Sequence, residues 1–154
     1  MIEKAIKKYE KFNTTDTIFE YAMCLDCYEK VVESFSDTSK TKVEDYFAKN
    51  VNLDKRRKTL VEKGILDIDN WLSNCIIKGT PVEEVSQYQI CCQCDGKDML
   101  FAHSPFMISG AAIDEIANLL SNKTLGEIDG FIGEFFGWPP ELTKSPRDQP
   151  VFIM

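Results

Sequence analysis

The sequence predicts a mainly α (α+β) fold: a multi-helix domain with one small β-hairpin that carries a zinc-knuckle-like turn. Three observations predict it. Apolar residues recur at steps of three and four over most of the 154 residues, as in helices that bury one face. The period shortens to two over residues 87–92, and an Asp-Gly turn follows at Asp95-Gly96. Capping boxes, a Thr with a Glu three residues on, recur ahead of the helical stretches. No repeat or low-complexity linker divides the chain, so a single domain is expected over residues 1–154.

Residues 2–12 place Ile2, Ala5, Ile6, Tyr9 and Phe12 at helical spacing, with lysines opposite. Thr17 and Glu20 form a capping box. A helix is then expected through Ile18, Tyr21, Leu25, Tyr28, Val32 and Phe35, ending in the polar "SDTSK". Thr41 and Glu44 open a short helix through Val43, Tyr46 and Phe47. Another runs from about Leu53 to Lys63, closed by Gly64. Asp67 caps a helix whose face carries Ile68, Trp71, Leu72, Cys75 and Ile76, with Gly79 ending it. Thr80 and Glu83 repeat the cap logic, with Pro81 in the first helical position.

The hairpin is expected at about residues 87–103. Tyr88, Ile90 and Cys92 alternate with Gln87, Gln89 and Cys91, and "DMLFAH" returns. After Pro105 a helix is expected through Ala112, Ile113, Ile116, Ala117 and Leu120. Thr124 and Glu127 cap the last one, which passes Ile128, Phe131, Ile132 and Phe136 and stops at "GWPPEL". From about residue 138 the tail reads as irregular.

The formal charge is −7 and uneven. Residues 1–77 carry 13 Lys+Arg against 14 Asp+Glu, and residues 78–154 carry 5 against 11. An acidic second half repels nucleic acid and anionic membrane. The four basic residues Lys55–Lys58 have acidic neighbours and no interleaved aromatic, as on a solvated helix face. No apolar run approaches the ~18 residues of a membrane span, and the charged start has no signal-peptide core. A cytoplasmic protein is expected.

There the six cysteines are thiols or metal ligands rather than disulfides. Two CxxC pairs stand out, Cys24/Cys27 in "CLDC" and Cys91/Cys94 in "CCQC". Zinc prefers four tetrahedral ligands, and thiolate is a common structural donor. The expected cofactor is therefore Zn²⁺, held by Cys24, Cys27, Cys91 and Cys94, with Cys92 and His103 ranking after them. The second pair resembles the knuckles of zinc-ribbon proteins over about a dozen residues. Sixty-three residues separate Cys27 from Cys91, whereas zinc ribbons leave roughly 15–20 between pairs. Buried thiols and a redox pair are the alternatives. The redox reading ranks last because it calls for a helix N-terminus and a βαβ setting that neither pair displays in the sequence.

With one histidine, metal hydrolases built on several histidines are excluded. No GxSxG, GxGxxG or Walker motif occurs, and a closed four-thiolate ion leaves no open position for catalysis. The expectation is a small non-enzymatic binding or regulatory protein with a structural zinc and a protein partner, an immunity or inhibitor protein being one form of this. The alternative is an enzyme using a cysteine-bound metal or a reactive thiol. Gly126, Gly130, Gly133 and Gly137 recur at steps of four, three and four. They share one helix face, on which a second helix or a second copy of the chain is expected to pack.

Overall fold

The computed structural model describes residues 4–12, 16–62 and 67–137. Five strands form one antiparallel sheet: β1 (Lys4–Phe12), β2 (Asp16–Cys24), β3 (Gln87–Asp95), β4 (Asp98–Met99) and β5 (Phe106–Ser109). The order is β2-β1-β3-β4, with β5 also paired to β3. β1 is central, and all nine of its residues pair with β3.

Two expected helices are therefore strands over part of their length. Residues 4–12 form β1, and residues 16–24 form β2. The helical spacing of Ala5, Ile6, Tyr9 and Phe12 loses to pairing on both sides of β1. Strand formation is decided by neighbours more than by local preference. Within β2 the burial alternates, with Tyr21 and Met23 inside and Glu20, Ala22 and Cys24 outside.

The helix expected from residue 17 begins instead at Leu25, as α1 (Leu25–Ser34). "SDTSK" does not break the chain for long. Ser36 caps α2 (Asp37–Asn50), and Thr41 lies inside that helix. α3 (Leu53–Glu62) falls where expected, while Gly64 lies outside the described residues. Asp67 caps α4 (Ile68–Leu72) by accepting from the Asp69 amide at 3.1 Å. That helix stops at Leu72, earlier than expected, and Gly79 turns the following loop at φ +69°. Pro81 precedes a 3-10 turn over Val82–Glu84.

β3 and the turn after it match the period-two reading, and Gly96 adopts φ +58°. The returning strand β4 is only two residues long and does not extend to His103. β5 occupies residues expected to lead directly into a helix. α5 (Gly110–Leu119) and α6 (Asn122–Phe135) follow. Gly137 at φ +67° ends α6, its amide donating to the Ile132 carbonyl at 3.0 Å. The tail expected from about residue 138 lies outside the described residues.

The core joins one sheet face to α1, α2, α5 and α6. Tyr21, Met23, Val31, Phe35, Val43, Ile108, Ile116, Ile128 and Ile132 belong to it. Burying each large apolar side chain contributes roughly 1.5–3 kcal/mol. The helices are also pinned by hydroxyls. Ser36 caps α2, Ser121 caps α6, and Ser39 and Thr124 lie between them. The Ser36 amide donates to Thr124 Oγ1 at 3.0 Å, and the Ser121 amide donates to Ser39 Oγ at 2.9 Å. The end of α1 is thereby tied to the start of α6, so from this node the two helices run back antiparallel.

Candidate functional site

The β2–α1 junction positions the first CxxC pair. The strand ends at Cys24, and the helix starts at the next residue. Cys24 is the N-cap of α1, with extended φ −70° and ψ 157°. Its Sγ accepts from the Cys27 amide at 3.3 Å. A sulfur thus takes the place of the hydroxyl or carboxylate that ordinarily fills this position. Cys27 is the third residue of the helix, one turn on, and both thiols are exposed. Hydrogen bonding from the Cys27 side chain, then from its amide, lowers the Cys24 pKa from its ordinary 9.0. The side-chain contact raises that of Cys27. A helix N-terminus favours an anion through its free N–H groups and its dipole. At this junction the thiolate is favoured at Cys24 over Cys27.

The second pair is arranged differently. Cys91, Cys92 and Cys94 all lie inside β3, and the turn comes after them at Gly96. The expected knuckle turn is therefore replaced by regular strand. Cys91 and Cys94 are three residues apart, which sends them to opposite faces of the sheet. Cys91 shares a row with Tyr21, since Lys8 pairs with both. It lies under α1, where burial and then the nearby Cys91 push the Tyr28 pKa up to about 12. Cys94 shares a row with Cys24, since Ala5 pairs with both. Cys92 is on the same face as Cys94. All three cysteines of β3 are buried, and no disulfide joins any of the six.

Among the described residues, no group of three or more His, Cys, Asp or Glu side chains is placed to hold a metal ion. His103 is exposed and lies 3.7 Å from an Asp54 carboxylate oxygen. Cys75, expected in the core, is there, accepting from Ser109 Oγ and the Ser109 amide at 3.3 Å.

A groove of about 520 Å³ starts at Cys27 and runs between α1 and α6. Val31 and Ser34 line it on α1, and Gly126, Gly130 and Phe131 on α6. Among the described residues, nothing outside the local α6 backbone comes within 4 Å of the position a Cβ would take at Gly126 or Gly130. At Gly126 and Gly130 the close neighbour expected on this face is thus not supplied by a described helix. These glycines widen a groove instead.

Of the basic run, Lys55, Arg57 and Lys58 are solvated as expected, but Arg56 is not. Its Nη2 donates to the carbonyls of Trp71 at 2.6 Å and Pro105 at 2.9 Å. The guanidinium also stacks 4.8 Å from the Trp71 ring centroid.

Sequence reasoning missed the placement of Cys24. Reading residues 17–35 as one helix puts the pair in a helix interior, whereas Cys24 is the N-cap of α1. The signal for the junction was the strand-forming cluster Thr17, Ile18, Phe19 and Tyr21 just before "CLDC". No helix of the described residues is long and apolar enough to cross a membrane. Compared with family models, curated proteins and solved structures, the chain gives no significant match.

Proposed function

We propose that this protein carries out thiol–disulfide exchange through Cys24 and Cys27. The observation that carries the reading is the N-cap position of Cys24, whose exposed Sγ accepts from the Cys27 amide one turn on. Cys24 is the attacking group. Its thiolate displaces one sulfur of a disulfide R–S–S–R′, giving a Cys24–S–S–R mixed disulfide and R′–S⁻. Cys27 then loses its proton to solvent and attacks Cys24 Sγ. The Cys24–Cys27 disulfide forms, and R–S⁻ leaves. Two electrons pass from the protein thiols to the substrate, which takes up the two protons. The reverse sequence oxidises a dithiol. Both directions need an exposed pair one helical turn apart, and this pair is exposed.

Zinc binding by these cysteines is the alternative, and one observation favours it. Cys24 and Cys94 flank Ala5 in one row, and Cys92 is on the same face. Cys24, Cys27, Cys92 and Cys94 are then the ligand set, in place of one containing Cys91. Bringing the four sulfurs within ~2.3 Å of one ion requires them to converge further than they do here. A structural zinc of this kind would serve the binding or regulatory role.

One experiment separates the two. The full chain, purified without chelator, is assayed for zinc and then equilibrated in glutathione buffers of graded potential. Peptide mapping follows the Cys24–Cys27 disulfide. Thiol exchange predicts metal-free protein and a single two-electron transition confined to this pair. One zinc per chain, with thiols that oxidise only after chelation, would overturn it in favour of zinc.

A further inference from the structure

We infer that the disulfide substrate is a polypeptide, held with apolar and basic residues in the groove between α1 and α6, rather than a small anionic disulfide. This rests on the exchange chemistry proposed for Cys24 and Cys27. The first support is position. Cys27 lines the mouth of the groove, and its amide is 3.3 Å from Cys24 Sγ. A substrate sulfur on Cys24 therefore has its flanking residues beside the groove. The antiparallel run of the helices brings the end of α6 to this mouth, where Phe136 meets Tyr21 at 4.7 Å between ring centroids.

The second support is shape. At about 520 Å³, the groove has the size of sites that hold ligands, roughly 300–1,000 Å³. Gly126 and Gly130 leave open space on the α6 side between its lining side chains, with nothing among the described residues outside α6 within 4 Å of a Cβ there. An extended backbone can lie close on such a surface. Phe135, 63% exposed, stands at the end nearest the thiols and offers an apolar contact.

The third support is charge. Glu127 and Glu134 face the groove against the single Lys30. In sequence, residues 78–154, which include α6, are acidic as well, with 5 Lys+Arg against 11 Asp+Glu. Such a rim attracts lysine or arginine and repels a substrate of net negative charge such as oxidised glutathione.

The test uses mixed disulfides with one common leaving group, 5-thio-2-nitrobenzoate, whose release is coloured. One carrier is glutathione. The second is a nine-residue peptide with Leu and Phe beside its cysteine and lysines outside them. The third replaces those lysines with glutamates. The full reduced chain is expected to react at least tenfold faster with the lysine peptide than with the glutathione conjugate, and the glutamate peptide to fall between. Glu134→Lys, a change at an exposed position, should shift preference towards the glutamate peptide. Gly130→Leu should cut the ratio of lysine-peptide to glutathione rates severalfold by filling the groove. Thermal melts of both variants confirm folding. Equal rates for all three substrates, or ratios unmoved by both variants, would overturn the groove assignment and leave the thiol chemistry standing. No leaving-group release from any substrate would overturn the thiol chemistry itself, and the groove assignment with it.

Discussion

Replacing Thr124 by Val removes one hydroxyl at nearly constant volume, from a side chain with no exposed surface. In the native chain Thr124 Oγ1 accepts the Ser36 amide at 3.0 Å and exchanges hydroxyl bonds with Ser39 at 3.1 Å and Ser121 at 3.1 Å. One net hydrogen bond is worth about 1 kcal/mol, and a buried donor left without its acceptor costs about 1–3 kcal/mol. Ser36 is half-buried, so its amide falls at the lower end of that range. The expected destabilisation is about 2–3 kcal/mol. For a chain of this length that corresponds to a drop in Tm of roughly 4–12 °C. Thr124→Ser is the control. It keeps the hydroxyl and loses one methyl, for about 1 kcal/mol. Urea denaturation of the three proteins, with the slope held common, gives the order wild type, then Ser, then Val. A Val variant as stable as the Ser variant, or more stable, would refute the claim that hydroxyl bonding rather than packing pins α6 to α1 and α2.

Three further outcomes follow from named contacts. Arg56→Met keeps the stem and loses two carbonyl partners and the Trp71 stack, so it should cost about 2–3 kcal/mol in urea. Arg57→Met, at an exposed position, should stay within about 0.5 kcal/mol, and equal costs would contradict the assignment. Titration of the native chain with an aromatic disulfide reagent should show fast reaction at Cys24 and Cys27 only, because the other four cysteines are buried. Fast modification of Cys91 or Cys94 would contradict their placement in β3. Alkylation of Cys24 should have a pH midpoint below the ordinary 9.0, because Cys27 donates to its thiolate. In Cys27→Ala that midpoint should move up, and an unmoved one would remove Cys27 as the cause.

Legibility in the sequence followed the range of the interactions. β3 was readable because alternation and the Asp95-Gly96 turn are local signals, and both appear in the structure. α3 and the Asp67 cap were readable for the same reason. β1 was not. Ile6, Tyr9 and Phe12 fit a helical period, yet nine pairings to β3 and eight to β2 hold this stretch extended. Those partners are distant in sequence or hidden in an ambiguous stretch, and local spacing carries no trace of them. β2 was hidden because Tyr21, Leu25 and Tyr28 continue a helical stripe across the strand–helix boundary. The cost fell on the site. The CxxC spacing of the cysteines was visible, but the N-cap position of Cys24 depends on that boundary. The opposite facing of Cys91 and Cys94 follows once β3 is extended through both of them. The turn itself falls at Asp95-Gly96 as expected, but both cysteines lie in the strand before it rather than on it.

The most direct test of the exchange chemistry is trapping with Cys27→Ser. Reduced full-length protein is mixed with a peptide disulfide, quenched with acid, and mapped by mass spectrometry. Without the resolving thiol, the account predicts one peptide per chain, linked to Cys24 and persistent. Under the same conditions the native chain should pass through this adduct to the Cys24–Cys27 disulfide, and Cys24→Ser should gain no comparable adduct on Cys27. No adduct on Cys24 in the Cys27→Ser protein, or an adduct that forms equally on the cysteines of β3, would contradict the assignment of Cys24 as the attacking thiol.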